Sequence, residues 1–329
     1  NEGDYDFVKV TLDPASLAAV RSHIARLDDA MLRQQLWHAL WEMVVDGKLA
    51  AREYAEAALA QIGSEEDTLV LASVLGNLAS AHLGSASALK YLPDSEREVY
   101  RERMEAAFLR GFERAPAGSD LQLSWYFALL EVARSPQTLG QLQGLLDGDL
   151  EIAGLRIDQD RRWELIGALA RAGAPGVRER IALELAEDAT DSGRKAAIAA
   201  EVSLPSAETK AAWRARMEAP DGPERLADAQ LREAMRAHHQ LGQEELSRLS
   251  VDWYFATLPG FAATRDEDLV DSFSAAMFPA LCDERIVGRI DALLASGARL
   301  PAAAEKNLRV ARQEETRCIR ARQLQAGAD

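Results

Sequence analysis

The sequence predicts an all-α protein, about sixteen helices packed as antiparallel pairs in a curved array behind a short N-terminal extended strand. Three observations predict it. Ala and Leu abound while aromatics make up only 6% of the 329 residues, a composition that packs helices closely and makes poor sheets. Apolar residues recur at helical spacing along nearly the whole chain. Helix-starting and helix-ending residues punctuate that pattern at short intervals. With 48% apolar content the chain can bury a large core.

The first stretch is the exception. Tyr5-Asp6-Phe7-Val8-Lys9-Val10-Thr11-Leu12 alternates and is rich in β-branched and aromatic residues, which predicts a strand. A lone strand leaves an open edge, so it either pairs with something preceding this chain or lies as an extended tail. A severed connection is the preferred reading. Asp13-Pro14 then supplies a cap and a proline at the first helical position. Leu17, Val20, Ile24 and Leu27 share one face of the first helix. Leu32, Leu36, Leu40 and Met43 share a face of the second, widened by Trp37, Trp41 and Val44. A stripe that wide predicts contact on two sides, as in a layer of a solenoid.

Further starts are marked by Ser64 before Glu65-Glu66-Asp67, by Ser119 with Gln122 and Thr264 with Glu267 in capping-box spacing, and by Ser135-Pro136 and Pro205-Ser206. Gly63, Gly148, Gly173 and Gly242 stand where helices should stop. Gly84 to Ala88 reads as a loop and Ala219-Pro220-Asp221-Gly222-Pro223 as a break. No signature residue recurs at fixed spacing, which disfavours tetratricopeptide and ankyrin repeats and leaves degenerate HEAT-like helix pairs.

At the centre, Asp158, Asp160, Arg161 and Arg162 crowd one turn ahead of the apolar face carrying Trp163, Leu165, Ile166 and Leu169. Either Asp158 or Asp160 caps an inner helix, and the charged turn is either a solvated cap or a recognition rim. The last helix, Pro301 to about Gln325, carries Lys306, Arg309, Arg312, Arg317, Arg320 and Arg322, with Leu308, Ala311, Glu315 and Ile319 on one face. Its cations either answer the helix dipole or form an anion-facing surface. On charge alone, Arg156, Arg161, Arg162, Arg309, Arg317 and Arg320 are the candidates to meet an anionic group, and the resemblance given below makes them the candidate peptide contacts.

The net charge of −15 argues against nucleic-acid binding and against anionic membrane surfaces. No apolar run approaches the roughly 20 residues of a membrane span, and the acidic start is no signal peptide. Cys282 and Cys318 are too few and too far apart in sequence for a disulfide framework or metal cluster, and a reducing cytoplasm fits. Cys282 beside Asp283-Glu284 stands in an electronegative setting, which speaks against a nucleophile.

The five histidines never take the spacing of a His-Glu-x-x-His zinc helix, and the adjacent His238 and His239 read as partly exposed helix residues. Phosphate loops, dinucleotide turns and nucleophile elbows are also absent from the sequence. Trp125-Tyr126-Phe127 and Trp253-Tyr254-Phe255 read as core. No catalytic, cofactor-binding or metal-binding residue is assigned.

A series of short motifs in shared order carries a family likeness. It begins with Tyr5, Lys9-Val10, Leu12-Asp13, Ser16, Leu32-Arg33, Trp37, Trp41-Glu42-Met43 and Asp46-Gly47. Pro116-x-Gly118-Ser119-Asp120-Leu121-Gln122-Leu123, Leu146-Asp147-Gly148 and Gly154 to Trp163 follow. Glu184-Leu185, Asp188 to Gly193 and Pro205-x-x-x-x-Lys210-x-x-Trp213 extend it, with weaker traces at Trp253-Tyr254-Phe255 and Phe278-Pro279. In these the chain resembles the C-terminal helical domain of zinc aminopeptidases of the actinobacterial aminopeptidase N type, which is like that of the endoplasmic-reticulum aminopeptidases. It departs from the family pattern at Arg161 and Glu42.

The resemblance implies residues 1–13 as a linker or strand from a preceding β-domain and 14–329 as a HEAT-like helical domain. It implies a non-catalytic element that encloses an active-site chamber and helps bind and size-select peptides. Its partners would be the catalytic and β-domains of the same polypeptide and the peptide substrates, with zinc held in the catalytic domain and no cofactor here. The alternative is a free-standing helical-repeat scaffold for protein partners.

Overall fold

Caps decide where this chain turns, and the turns decide which helices meet. In the computed structural model, which describes residues 9–219 and 225–326, eighteen α-helices follow one another. Two of them are single short turns, so the expected array of about sixteen matches the longer helices. Among the described residues there is no strand, only an isolated bridge between His82 and Gln240. The chain divides into two compact units. The first comprises Asn1–Ser80, Ala86–Val132 and Arg317–Asp329; the second comprises Ala81–Ser85 and Ala133–Thr316.

The first unit contains α1 (Pro14–His23), α2 (Ala30–Val45), α3 (Ala51–Gln61), α4 (Thr68–Leu78), the short α5 (Ala88–Tyr91), α6 (Asp94–Arg114) and α7 (Asp120–Val132). Asp13 caps α1 by accepting from the Ala15 and Ser16 amides at 2.9 and 3.1 Å, as the Asp-Pro pair predicts. α1 is shorter than its apolar spacing implies: Ile24 already lies in a 3-10 turn, and α1 buries none of its own residues. The core forms one helix later. Trp37 of α2 meets Tyr54 of α3 edge-on at 5.8 Å, and Trp41 stacks on Tyr91 of α5 at 5.9 Å.

The expected strand is not formed where it can be seen. Tyr5 to Val8 lie outside the described residues, and Lys9 to Leu12 carry no ladder. Alternation alone cannot hold a strand without a partner, and side chains hold this stretch instead. Lys9 pairs with Glu42 at 2.8 Å and Asp46 at 2.7 Å near the end of α2, and Lys48 donates to the Thr11 hydroxyl at 3.0 Å.

The second unit contains α8 (Pro136–Asp147), α9 (Gln159–Ala172), α10 (Val177–Glu187), α11 (Asp191–Ser203), α12 (Ala207–Glu218), α13 (Asp228–His238), α14 (Glu244–Arg248), α15 (Val251–Thr264), α16 (Glu267–Ala276) and α17 (Glu284–Ala295). The last helix, α18 (Ala302–Ala326), divides between the units at residue 317. Here α9, α11, α13 and α16 touch in succession as one layer, while α8, α10, α12 and α15 pack against it as a second. This is the adjacent-pair packing that wide apolar stripes predict. Gly148 and Gly173 end α8 and α9 in the left-handed conformation, at φ of 80° and 68°.

Four expectations need correcting. Ser64 and Thr264 do not cap; Asp67 and Asp266, nearer the helices, take the first-turn amides of α4 and α16. His238 and His239 are buried, not partly exposed, because α13 ends between them and the following residues fold inward. Phe127 is 45% exposed and so stands outside the expected core run. Both cysteines are disulfide-bonded and neither is free.

Candidate functional site

Asp158 is the cap of α9, accepting from the Arg161 amide at 3.1 Å and from its guanidinium at 2.9 Å. Arg162 makes a two-pronged pair with Glu184 of α10 at 2.8 and 2.6 Å, and its remaining nitrogen donates to the Leu146 carbonyl at 3.0 Å. Gln159 adds a bond to the same Glu184 oxygen at 2.7 Å. The Arg162 hydrogen bonds, then Gln159, hold the Glu184 carboxyl below its ordinary pKa, and Arg162 is raised in return. Arg162 therefore joins the end of α8 to α9 and α10.

One turn on, the Trp163 indole donates to Asp188 at 2.9 Å while the Thr190 hydroxyl donates to its other oxygen at 2.6 Å. Gly193 packs so closely that a Cβ would stand 2.0 Å from the Asp188 carbonyl oxygen. The charged turn is thus mostly committed to holding helices. Of its arginines, Arg156 is exposed and makes no hydrogen bond or ion pair with any described residue.

On α18 the basic stripe is also largely answered. Arg309 pairs with Glu305 at 2.9 Å, and Arg312 grips Asp291 at 2.6 and 3.0 Å. Arg322 donates to the Lys90 carbonyl and Gln325 to the Tyr91 carbonyl, each at 2.9 Å, so the helix end serves the turn after α5. Arg317 is half-buried. Arg320 is exposed, with its Cβ stem against Gly47. The structure brings Arg156, Arg161 and Arg162 together around the start of α9; Arg309 lies in the second unit, and Arg317 and Arg320 lie in the first.

A groove in the first unit was not foreseen. It runs between α3 and α6 and has a deeper part of about 680 Å³ lined by the 59–66 turn, Ala107, Arg110, Gly111, Arg114 and Trp125. A shallower part of about 310 Å³ continues past Ala106 to Glu56 and Arg103.

A family model for the ERAP1-like C-terminal domain matches residues 1–317. The chain belongs to that family. It is also similar to an aminopeptidase N of Streptomyces lividans, 32% identical over 331 aligned residues that take in all of this chain and 37% of that protein. The chain therefore spans little more than a third of the length of its relative.

Among the described residues no group of three or more His, Cys, Asp or Glu is placed to hold a metal ion. The adjacent histidines serve another purpose. His239 Nε2 faces the Met277 carbonyl at 3.1 Å, so it carries the proton, and Nδ1 accepts from the Ser247 hydroxyl at 2.9 Å. Burial pushes this imidazole down to about 3, which keeps that neutral form. His238 packs edge-on against it at 4.5 Å, with neither ring nitrogen hydrogen-bonded among the described residues.

Beside them lies Lys210 of α12, 1% exposed. Its Nζ donates to the Val202 carbonyl at 2.7 Å and the His238 carbonyl at 2.5 Å, at the C-terminal ends of α11 and α13. Gln243 ties the same region by donating to the Arg171 and Ser203 carbonyls at 3.1 and 2.8 Å. A sequence signal for Lys210 existed: it stands with Trp213 and Met217, both buried, on one i, i+3, i+7 stripe.

Proposed function

We propose that this chain is the non-catalytic C-terminal domain of a zinc-dependent aminopeptidase of the aminopeptidase N type. In that role it closes over the active-site chamber, packs against the catalytic and β-domains of the same polypeptide, and helps bind peptides and select them by size. The observation that carries the reading is the end-to-end likeness to a protein nearly three times as long. The resemblance implies that the zinc helix and the scissile-bond chemistry lie in the rest of the parent polypeptide, of whose relative this chain covers 37%.

The peptide-contact reading falls on Arg156, Arg161, Arg162, Arg309, Arg317 and Arg320, and it falls unevenly. Arg161, Arg162 and Arg309 already answer carboxylates of their own unit. Arg156 and Arg320 are exposed without such a partner among the described residues, so they keep donors for a peptide carboxylate or carbonyl.

The test uses the full-length enzyme and a series of peptides sharing one N-terminal residue but differing in length. For Arg156→Ala and Arg320→Ala, kcat/KM should fall for long peptides and stay constant for a single-residue chromogenic amide. Unchanged length preference in both variants would remove the contact assignment.

A further inference from the structure

The groove between α3 and α6 is unusual in how its charges are balanced. At its shallow end the Arg103 guanidinium meets Glu56 at 2.5 and 2.7 Å, and Tyr100 donates to the same carboxylate at 2.6 Å. Arg103 first, then Tyr100, holds the Glu56 carboxyl down to about 2, so Glu56 stays ionised and answers Arg103 over the ordinary pH range. At the deep end Glu65 is occupied by Arg33 at 2.8 and 2.6 Å. Three charges in the lining remain unanswered among the described residues: Arg110 and Arg114 on the α6 wall, and Glu66 on the turn after α3. In a chain of net charge −15, two neighbouring guanidiniums that make no ion pair among the described residues, with Glu66 the one unpaired carboxylate across the groove, are out of keeping with their surroundings.

The shape agrees with the charge. Ala60, Ala106 and Ala107 leave the floor low enough for a main chain to approach. At Gly111 a Cβ would stand 2.3 Å from the Trp125 ring, so the indole lies directly on the α6 backbone and closes the bottom between the two arginines. Four residues apart on a helix, Arg110 and Arg114 project from one face with an axial offset of roughly 6 Å. Alternate side chains of an extended peptide repeat at roughly 6.7 Å. From Arg103 to Arg114 the wall runs roughly 16 Å, the length of about five extended residues.

We propose that this groove binds an extended acidic peptide segment, with carboxylates at alternate positions on Arg110 and Arg114 and its main chain along the alanine floor. The recognition is by charge-assisted hydrogen bonds. The inference stands on the first unit alone and does not depend on the aminopeptidase reading.

The experiment is calorimetric titration of the full-length protein with a pentapeptide Gly-Glu-Ala-Glu-Gly, acetylated and amidated so that neither terminus carries charge. The isosteric Gly-Gln-Ala-Gln-Gly peptide is the control. The acidic peptide should bind at least roughly ten-fold more tightly than its neutral control and weaken with added salt. The double variant R110Q/R114Q should lose that preference, and R110K/R114K should recover part of it. Both positions are exposed on α6, and an unchanged melting temperature shows that the variants fold. The proposal is overturned if the acidic peptide does not bind, if the neutral peptide binds equally, or if R110Q/R114Q binds as the parent does. The first outcome is also what a groove already covered by another part of the polypeptide would give.

Discussion

Arg162 and Lys210 are two cations of the same unit, each joining three helices, and each is stabilised by opposite means. Arg162 joins α8, α9 and α10 through a carboxylate, Glu184, whose side chain is 2% exposed. Lys210 joins α11, α12 and α13 through carbonyl oxygens alone, and the charged groups acting on it and on the neighbouring imidazoles include Arg214 but no carboxylate. The first arrangement holds its charge at any ordinary pH. The second places a buried amine where helix C-termini supply only partial negative charge. Burial, with Arg214 adding to it, pushes Lys210 down to about 7. So a similar mechanical task is insensitive to pH at one joint and sensitive at the other.

The largest effect should come from breaking the paired joint. Glu184→Ala leaves Arg162 without its carboxylate and Gln159 without its acceptor. A fully enclosed pair would cost about 3–5 kcal/mol when one partner is removed. Because Arg162 keeps 29% exposure and can turn to water, about 2 kcal/mol is expected here. The double variant Glu184→Ala/Arg162→Met should recover much of that loss in chemical denaturation. If it is no better than Glu184→Ala, the pair is not what holds α9 to α10. The pH direction follows from the lowered Glu184 pKa: its contribution is present above the unfolded carboxyl value and is lost as pH falls through the folded one.

The carbonyl joint should give a smaller and pH-dependent effect. Lys210 has a folded pKa below its unfolded one, so the unfolded chain binds more protons between about pH 7 and 10. Stability should therefore rise with pH through that window, by at most about 1.4 kcal/mol per unit, and be flat in this respect below it. Lys210→Met removes two donors from helix-end carbonyls and should cost about 1–2 kcal/mol at pH 9, where the parent amine is neutral. At pH 6 its deficit should shrink, because there the parent carries a desolvated cation that the variant lacks. Parallel pH profiles for parent and variant would show that Lys210 does not titrate in this window.

Much of the fold was legible because its signals are local. Asp13-Pro14, Ser135-Pro136 and Ser206 cap where their spacing predicts, and the α2 stripe is buried from Trp37 onward, at Leu40, Trp41, Met43 and Val44, while its first member, Leu32, is 40% exposed. Local signals failed where two competed: Thr264 with Glu267 has capping-box spacing, but the Asp266 carboxylate lies closer to the α16 amides and takes them. The site was legible only as a list of cations. Whether an arginine is spent or free depends on partners 22 to 32 residues away, such as Glu184 for Arg162 and Glu65 for Arg33, and no periodicity carries that information. His239 was hidden because it is held by Ser247, 8 residues on, and by Met277, 38 residues on, which no helical periodicity links to it.

The smallest effect sharpens the contrast between a committed arginine and an uncommitted one. Arg161 makes only an i, i+3 contact with the cap residue Asp158, and Arg156, five positions earlier, makes no pair. A pair within one turn whose carboxylate stays open to water, as Asp158 does at 39% exposure, contributes little, because water and salt screen it and both side chains lose freedom. Arg161→Ala should therefore shift the melting temperature by no more than roughly 2 °C, and Arg156→Ala should leave it within error. Raising the salt concentration should erase the Arg161 difference and leave the Glu184 deficit largely in place, since the Glu184 carboxylate is shielded from ions and Asp158 is not. A melting shift for Arg156→Ala comparable to that for Glu184→Ala would mean that Arg156 has a structural partner after all, and it would take away the donor assigned to peptide.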